Sequence, residues 1–432
     1  MLKSNASPKN CTKSQQILFE DAFKKSNFNY CLNLLHNKDQ KGQNLIRLMR
    51  PLILRGLLSL ILIQTATWAH AQSVYIIDGK VTDESLKPLA GATVFIDGSK
   101  IATATDATGQ FKLTVPGAGS YHLSAKMLGY AAANKDVMLK ERSANIDFKL
   151  AVKSVVLKQI NIGTDKNWAQ HFEMFKKQFL GDTPNALACK IVNPEVINFS
   201  TKQSMLYADA DEFLIIENPN LGYRVKYLLK TFQYDKMAAI TSYDGDVIFE
   251  ELPGTGAQKQ EWTRNRQLAY AGSLMHFLRS VFTNTALREG FVAGQLYKKD
   301  NKQYYDSKPV DFDTLVTAID TNFIVLKFTG LHVTYSPDKV AQLLKSGTKE
   351  TSLVVDSSIL RKRLMPTSNQ SVKPKYVSDL MSYVKQVTID ASGRVFSGYL
   401  LSFLIRGDWT YRRVADQLPF EYQPPVKLYA TP

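Results

Sequence analysis

Cysteine, histidine and tryptophan are scarce in this chain, at three, six and four of 432 residues, and each shortage removes a class of protein. Cys11 and Cys31 lie in the first fifty residues, which leaves Cys189 alone in the rest. A lone thiol cannot staple a fold, and its neighbours Leu187, Ala188, Ile191 and Val192 make it a small core residue rather than a reactive nucleophile. Four histidines follow residue 71, namely His122, His171, His276 and His332, and no two stand at ligand spacing. There is no His-Glu-x-x-His, no Cys-x-x-Cys and no Gly-x-Ser-x-Gly, so the motifs of zinc peptidases and serine hydrolases are missing. Asp209-Ala210-Asp211-Glu212 and the group Asp306, Asp311 and Asp313 do not match an EF-hand loop and read as solvated edges. No catalytic residue, cofactor or metal is assigned on this basis, and the chain is expected to be a non-enzyme.

Long apolar runs are missing too. The longest, Gly56 to Ile63, falls well short of the roughly 20 residues that span a bilayer. It follows Arg50 and Arg55 and precedes Ala69-His70-Ala71, the basic start, apolar centre and small-x-small site of a secretory signal. Cleavage is expected after Ala71, and no cysteine follows it to carry a lipid. Met49 stands where such a signal begins, so residues 1–48 are read as an extension outside the folded product.

The chain carries a net charge of +15. Residues 1–71 hold ten Lys or Arg and three Asp or Glu, so the remainder carries +8. Basic residues there are spread and interleaved with acids, unlike a nucleic-acid binder. The one run, Arg361-Lys362-Arg363, reads as a solvated loop. Nucleic acid is therefore not an expected partner, while a weak attraction to anionic surfaces is allowed.

What is present begins at Val74. Short β-rich runs, Val74 to Ile77, Ala92-Val94-Ile96, Phe111-Leu113-Val115 and Tyr121-Leu123-Ala125, are separated by Gly, Pro, Asp and Ser. That alternation predicts a β-sandwich, with Asp106-Ala107-Thr108-Gly109 as a tight turn. The motifs Gly79-Lys80-Val81-Thr82-Asp83, Pro88 to Val94, Thr105 to Phe111 and Leu128-Gly129-Tyr130 resemble the carboxypeptidase regulatory-like domain, a transthyretin-like sandwich of exported Bacteroidetes proteins. The resemblance implies an envelope location and a docking role, and it implies no peptidase activity. In that family the module begins many TonB-dependent receptors as well as smaller exported proteins. A 22-stranded barrel at about 10 residues per strand, together with its plug and loops, exceeds the chain after Leu150, so an integral membrane barrel is not expected.

After Val155 to Ile162, an extra strand or linker, Trp168, Phe172, Phe175 and Phe179 recur at helical spacing before Gly181. Strand signals follow at Met205–Ala208, Phe213–Ile216, Tyr223–Leu229 and Val247–Phe249, with Asp244-Gly245 as a hairpin turn signal. Residues from Trp262 to Phe282, Leu268 among the apolar positions, predict one or two helices broken at Gly272-Ser273. Further strands are expected at Phe323–Thr329, His332–Tyr335, Thr351–Asp356, Tyr383–Ile389 and Phe396–Leu404. Asp390-Ala391-Ser392-Gly393 repeats the Asp106 turn. Segments such as Phe175 to Gly181, Tyr270 to Arg279 and Leu418 to Tyr422 resemble uncharacterised Bacteroidetes proteins that carry the same module.

The chain is thus expected to divide into an extension (1–48), a signal (49–71), a transthyretin-like β-sandwich (73–150), a linker or strand (151–164) and an α+β domain with mainly antiparallel strands (165–432). In the second domain Arg264, Arg266, Tyr270, His276 and Arg279 share one helical region, where they can gather to receive a carboxylate or phosphate. The ordinary alternative is a polar helix face bonded to water or to a neighbouring sheet. Three functions are compared: an envelope protein that binds a peptide, glycan or envelope protein, which is favoured; a periplasmic hydrolase with its site near His276; and an accessory to TonB-dependent uptake. The export expectation has a direct check. N-terminal sequencing of the native protein should begin at Gln72, and a mature species that retains Met1 would overturn it.

Overall fold

Alternation of side chains, in and out, builds the first part of the molecule. In the computed structural model, which describes residues 74–153, 167–299, 302–345, 376–396 and 402–425, this part runs through eight strands. They are β1 (Tyr75–Asp83), β2 (Thr93–Ile96), β3 (Ala102–Ala104), β4 (Gln110–Val115), β5 (Gly119–Lys126), β6 (Ala133–Leu139), β7 (Ser143–Asn145) and β8 (Phe148–Leu150). One sheet has the order β4-β1-β7, with β8 also on β1, and the other has the order β3-β2-β5-β6. Strand β4 buries Phe111, Leu113 and Val115 and exposes the residues between them, the period of two that a half-buried strand requires. With Ile77, Val81, Val94 and Leu123 they close a single core. Strand β1 changes partner along its length, pairing Ile76–Asp78 with β7 and Val81–Asp83 with β8. At the switch, a Cβ on Gly79 would collide with the Ile146 carbonyl.

The second part begins with α1 (Trp168–Phe179) and α2 (Pro184–Ala188). A six-stranded antiparallel sheet follows, formed by β9 (Lys190–Ile191), β10 (Ile197–Lys202), β11 (Met205–Ala210), β12 (Leu214–Asn218), β13 (Tyr223–Asp235) and β14 (Ile240–Glu251). The aromatic stripe of α1 packs on it: Phe175 and Phe179 are fully buried, their rings 4.7 Å apart and edge-on to Phe232. Trp168 and Phe172, stacked at 5.0 Å, stay half-buried. Next come α3 (Gly256–Tyr270) and α4 (Leu274–Phe282). Thr255 caps α3 with a reciprocal Gln258 capping box and Ser273 caps α4, so each start satisfies its own free N–H groups.

Helix α4 lies in a further core between two sheets. The larger has the order β16-β15-β19-β20-β22, from β15 (Phe291–Lys299), β16 (Lys302–Pro309), β19 (Gly330–Tyr335), β20 (Val377–Ser382) and β22 (Phe403–Gly407). The smaller has the order β17-β18-β21, from β17 (Val316–Ala318), β18 (Phe323–Leu326) and β21 (Val387–Asp390). Short helices α5 (Phe312–Leu315) and α6 (Pro337–Lys345) complete the described elements. Phe277, Leu278 and Val281 of α4 meet Phe291, Leu326 and Ile389. The architecture is therefore a β-sandwich followed by a sheet-rich domain with few helices. No helix among the described residues is long and apolar enough to cross a membrane.

Several expectations shift. Asp244-Gly245 is not the turn of the β13–β14 hairpin; it lies inside β14, opposite a bulge between Leu229 and Thr231. A Cβ on Gly245 would collide with the Tyr227 ring, so this glycine serves ring packing. The chain reverses at Lys236–Ala239 instead, where Asp235 accepts the Met237 and Ala238 N–H groups. Leu268 is 67% exposed, and α3 buries Trp262, Ala269 and Tyr270. The β15–β16 hairpin, rich in Lys, Gln and Tyr, gave no alternation by which to expect it. Val155–Ile162 and Thr351–Asp356 lie outside the described residues. Phe179→Ala should cost about 3–5 kcal/mol by urea denaturation, and Trp168→Ala clearly less; equal losses would show that the stripe is not graded by burial.

Candidate functional site

The structure brings Tyr270, His276 and Arg279 together. The Tyr270 ring stacks on His276 at 4.7 Å, and the Arg279 guanidinium lies 5.5 Å from the Tyr270 ring centre. His276 is fully buried, with its Nδ1 accepting the Gly272 N–H at 3.0 Å and its Nε2 donating to Glu289 at 2.8 Å. Burial holds its pKa below the ordinary histidine value, although Glu289 pulls the other way. Arg279 donates to the carbonyls of Ser392, Tyr422 and Phe420 at 2.8–2.9 Å. Arg266 is set elsewhere, flat on the Tyr223 ring at 3.8 Å, and it donates to Leu221 O, Gly222 O and Glu251. Arg264 is exposed on α3. Of the buried members of this set, Arg279 fastens α4 to the C-terminal segment.

A denser cluster lies where the sandwich meets the six-stranded sheet. Asp246 of β14 is 2% exposed, and a carboxylate so deep needs partners on every side. From the sandwich, Ser124 Oγ donates at 2.8 Å, Asn134 Nδ2 donates at 3.2 Å and His122 Nε2 lies at 3.5 Å. Lys230 of β13 donates at 2.8 Å, and Asp136 holds the other ring nitrogen of His122 at 2.6 Å. Beside this cluster the turn after β2 joins the sheet. Gly98 N–H donates to Val247 O, Phe249 N–H donates to Ser99 O, and Val247 N–H donates to Asp97 at 2.7 Å. Val247–Phe249 belongs to an edge strand, so the turn covers backbone groups that would otherwise invite pairing.

The electrostatics follow from this crowding. Burial, reinforced by the Asp246 charge, pushes Asp97 up to about 6. Burial alone would raise Asp246 as well, but bonds from His122, Lys230 and Ser124 hold it below the usual carboxylate range. Burial opposes the charge on His122, yet Asp246 and Asp136 outweigh it and bring the ring up to about 9.

The C-terminal segment closes the junction. Phe420 N–H donates to Gly98 O, and Lys100 N–H donates to Glu421. Gly98 has φ +68°, and a Cβ there would strike the Phe420 ring. Asp390 accepts the Ser392 and Arg394 N–H groups with one oxygen and the sandwich's Ser120 N–H, at 2.9 Å, with the other. Arg394, 6% exposed, lies between the rings of Tyr121 and Phe420. None of these junction residues was nominated from sequence. The available signal was Asp246 at the head of the apolar run Val247-Ile248-Phe249, an acid placed where burial was already implied.

A separate pair lies on the five-stranded sheet. His332 Nδ1 is bonded to Asp379 at 2.6 Å, and its ring stacks on Tyr305 at 4.5 Å. Its Nε2 is buried without a partner. Among the described residues, no group of three His, Cys, Asp or Glu is placed to hold a metal ion.

Residues 77–162, about a fifth of the chain, match the CarboxypepD_reg-like domain. No curated protein matches the chain. Among solved structures, it is similar to a type II cohesin–X-dockerin complex of Acetivibrio cellulolyticus, at 18% identity over 18% of this chain and 56% of that one, with a TM-score of 0.16. A Bacteroides uniformis protein described as carbohydrate-binding is 11% identical over 35% and 57% of the two chains, and its TM-score is 0.16. A Bacteroides fragilis protein of unknown function, described as membrane-associated, is 13% identical over 42% and 83%, also with a TM-score of 0.16. The chain spans just over half the length of the first of these. Scores of this size carry no functional argument.

The junction makes stability depend on pH with a definite sign. His122 binds its proton more tightly when folded, so its contribution is complete below about 6.5 and is lost as pH rises through about 9. Asp97 also holds its proton more tightly when folded, so stability falls between about 3.8 and 6 as pH rises. Thermal melts from pH 7 to 10 should decline, and Asp246→Asn should flatten that decline while lowering stability at pH 7. An unchanged slope in the variant would remove His122 from the account.

Proposed function

We propose that the chain is an exported cell-envelope binding protein of Bacteroidetes type, periplasmic or outer-membrane-associated, whose partner is a glycan, peptide or envelope protein. The signal at 49–71, the sandwich at 73–150 and the domain at 165–432 are its parts in this reading. The observation that carries it is the junction around Asp246. The CarboxypepD_reg-like module is bonded to its own second domain by paired, buried polar groups, and on α4 Arg279 is engaged in holding backbone carbonyls while His276 is engaged by Gly272 and Glu289. Such an arrangement favours one firm body that presents a surface over an open centre for bond making. The sandwich is then less a free arm than a lobe, with the face formed by β5 and β6 given over to internal docking and its opposite sheet and loops left to meet partners.

A periplasmic hydrolase is the second reading, and the observation in its favour is His332. A histidine that Asp379 holds by Nδ1 and that keeps Nε2 unclaimed has the orientation of a general base. In this reading the base is His332 on β19 rather than His276, whose two ring nitrogens are both engaged. One experiment separates the readings. The protein is melted with graded peptidoglycan fragments, oligosaccharides and short peptides, and each mixture is then examined for chemical change. A binder raises its melting temperature with ligand concentration and leaves the ligand intact, and His332→Ala keeps that response. Turnover that His332→Ala abolishes would overturn the binding proposal and establish the hydrolase.

A further inference from the structure

Two turns end side by side at one margin of the six-stranded sheet. The first, Lys202–Ser204, joins β10 to β11, and the second, Lys236–Ala239, joins β13 to β14. Met205 pairs with both Lys202 and Asp235, which sets the turns level. They are also bonded to one another. Lys236 N–H donates to Ser204 O at 3.0 Å, and Ser204 Oγ donates to Asp235 at 3.1 Å. The same Asp235 oxygen accepts Met237 N–H at 2.9 Å and Ala238 N–H at 3.2 Å. The two turns therefore form one braced platform rather than two loose loops.

That platform presents apolar side chains to solvent. Met237 is 87% exposed and Ile240 is 64% exposed, with exposed Ala238 and Ala239 between them. Neither large residue contributes to a described core. Lys202 and Lys236 flank them, both exposed. The one acid in either turn and its flanks, Asp235, is turned inward onto backbone N–H groups, which hold its carboxyl below the ordinary range. Half-buried Tyr207 stands a short step back along β11, while Tyr234 packs against the core. Apolar tips flanked by ammonium groups suit the boundary between lipid headgroups and acyl chains. A polar protein surface would match the lysines and leave Met237 and Ile240 unaccounted for.

We infer that this platform rests on an anionic lipid surface, with Met237 and Ile240 entering the acyl boundary and Lys202 and Lys236 lying over the headgroups. Its source of affinity is two-part, apolar insertion and charge, and the two parts are separable by salt and by substitution. The inference does not rest on export, because lipid binding is measured outside the cell.

The test is vesicle flotation of the segment Ser73–Pro432, a single compact unit that includes every described core, with the full chain alongside. Vesicles of mixed phosphatidylglycerol and phosphatidylcholine are compared with phosphatidylcholine alone. The protein should float with the anionic vesicles and release as salt is raised. The Met237→Ser, Ile240→Ser double variant should lose about tenfold in affinity, and Lys202→Gln with Lys236→Gln should lose both affinity and salt dependence. All four residues are exposed, so melting temperatures should stay at the parent value and show that loss of flotation is not loss of fold. If Ser73–Pro432 stays at the bottom of the gradient, as it would were the platform a protein-binding site, or if the variants float as well as the parent, the inference falls.

Discussion

A single buried carboxylate, that of Asp246, sets the relation between the two halves of this molecule. A charge at 2% exposure is tolerable only when its lone pairs are answered, and the answers come from both sides of one seam. Ser124 and Asn134 approach from β5 and β6, and Lys230 from the adjacent strand. Sliding the sandwich by even one residue along β14 would carry its donors away from that carboxylate. The register of the docking is therefore fixed by electrostatics, while each lobe is held together by its own apolar core.

Local chemistry was legible in the sequence, and long-range partnership was not. The Asp106 turn and the aromatic face of α1 depend on residues a few positions apart, and spacing alone reveals such features. The Ser124–Asp246 bond joins residues 122 apart, and Ser120–Asp390 joins residues 270 apart. No local pattern marks these positions as partners. The same limit explains the helical candidates. His276 and Arg279 are neighbours because of helix geometry, and the turn between α3 and α4 brings Tyr270 onto them, but what faces them is supplied by Glu289, Ser392, Phe420 and Tyr422. Asp244-Gly245 shows how a local rule is displaced: its glycine is required by the Tyr227 ring, and the turn it would have made lies elsewhere.

One turn design recurs with different results. At Asp83, Asp106 and Asp390, a carboxylate oxygen accepts the N–H groups two and four residues ahead. The first two do this at the surface, and at Asp106 the same oxygen also accepts the Thr108 hydroxyl. At Asp390, which is 1% exposed, the second oxygen reaches Ser120 across the junction. A motif whose ordinary purpose is to reverse the chain thereby becomes a clamp between lobes, through burial alone and without any change in its local bonds.

The Gly98–Phe420 contact has a consequence for how the chain matures. Its partners are more than three hundred residues apart, and the neighbouring Lys100–Glu421 bond spans 321 positions. The sandwich is made early on the ribosome; its Asp97–Ser99 turn can meet β14 once that strand emerges, while the Gly98 carbonyl waits for Phe420. A copy that stops before Phe420 would keep the Asp246 bonds between the lobes and would lack the strap, together with Tyr422 of the second core. Closure of this strap is therefore the late step of docking, after the β14 contacts have already set the two lobes in register.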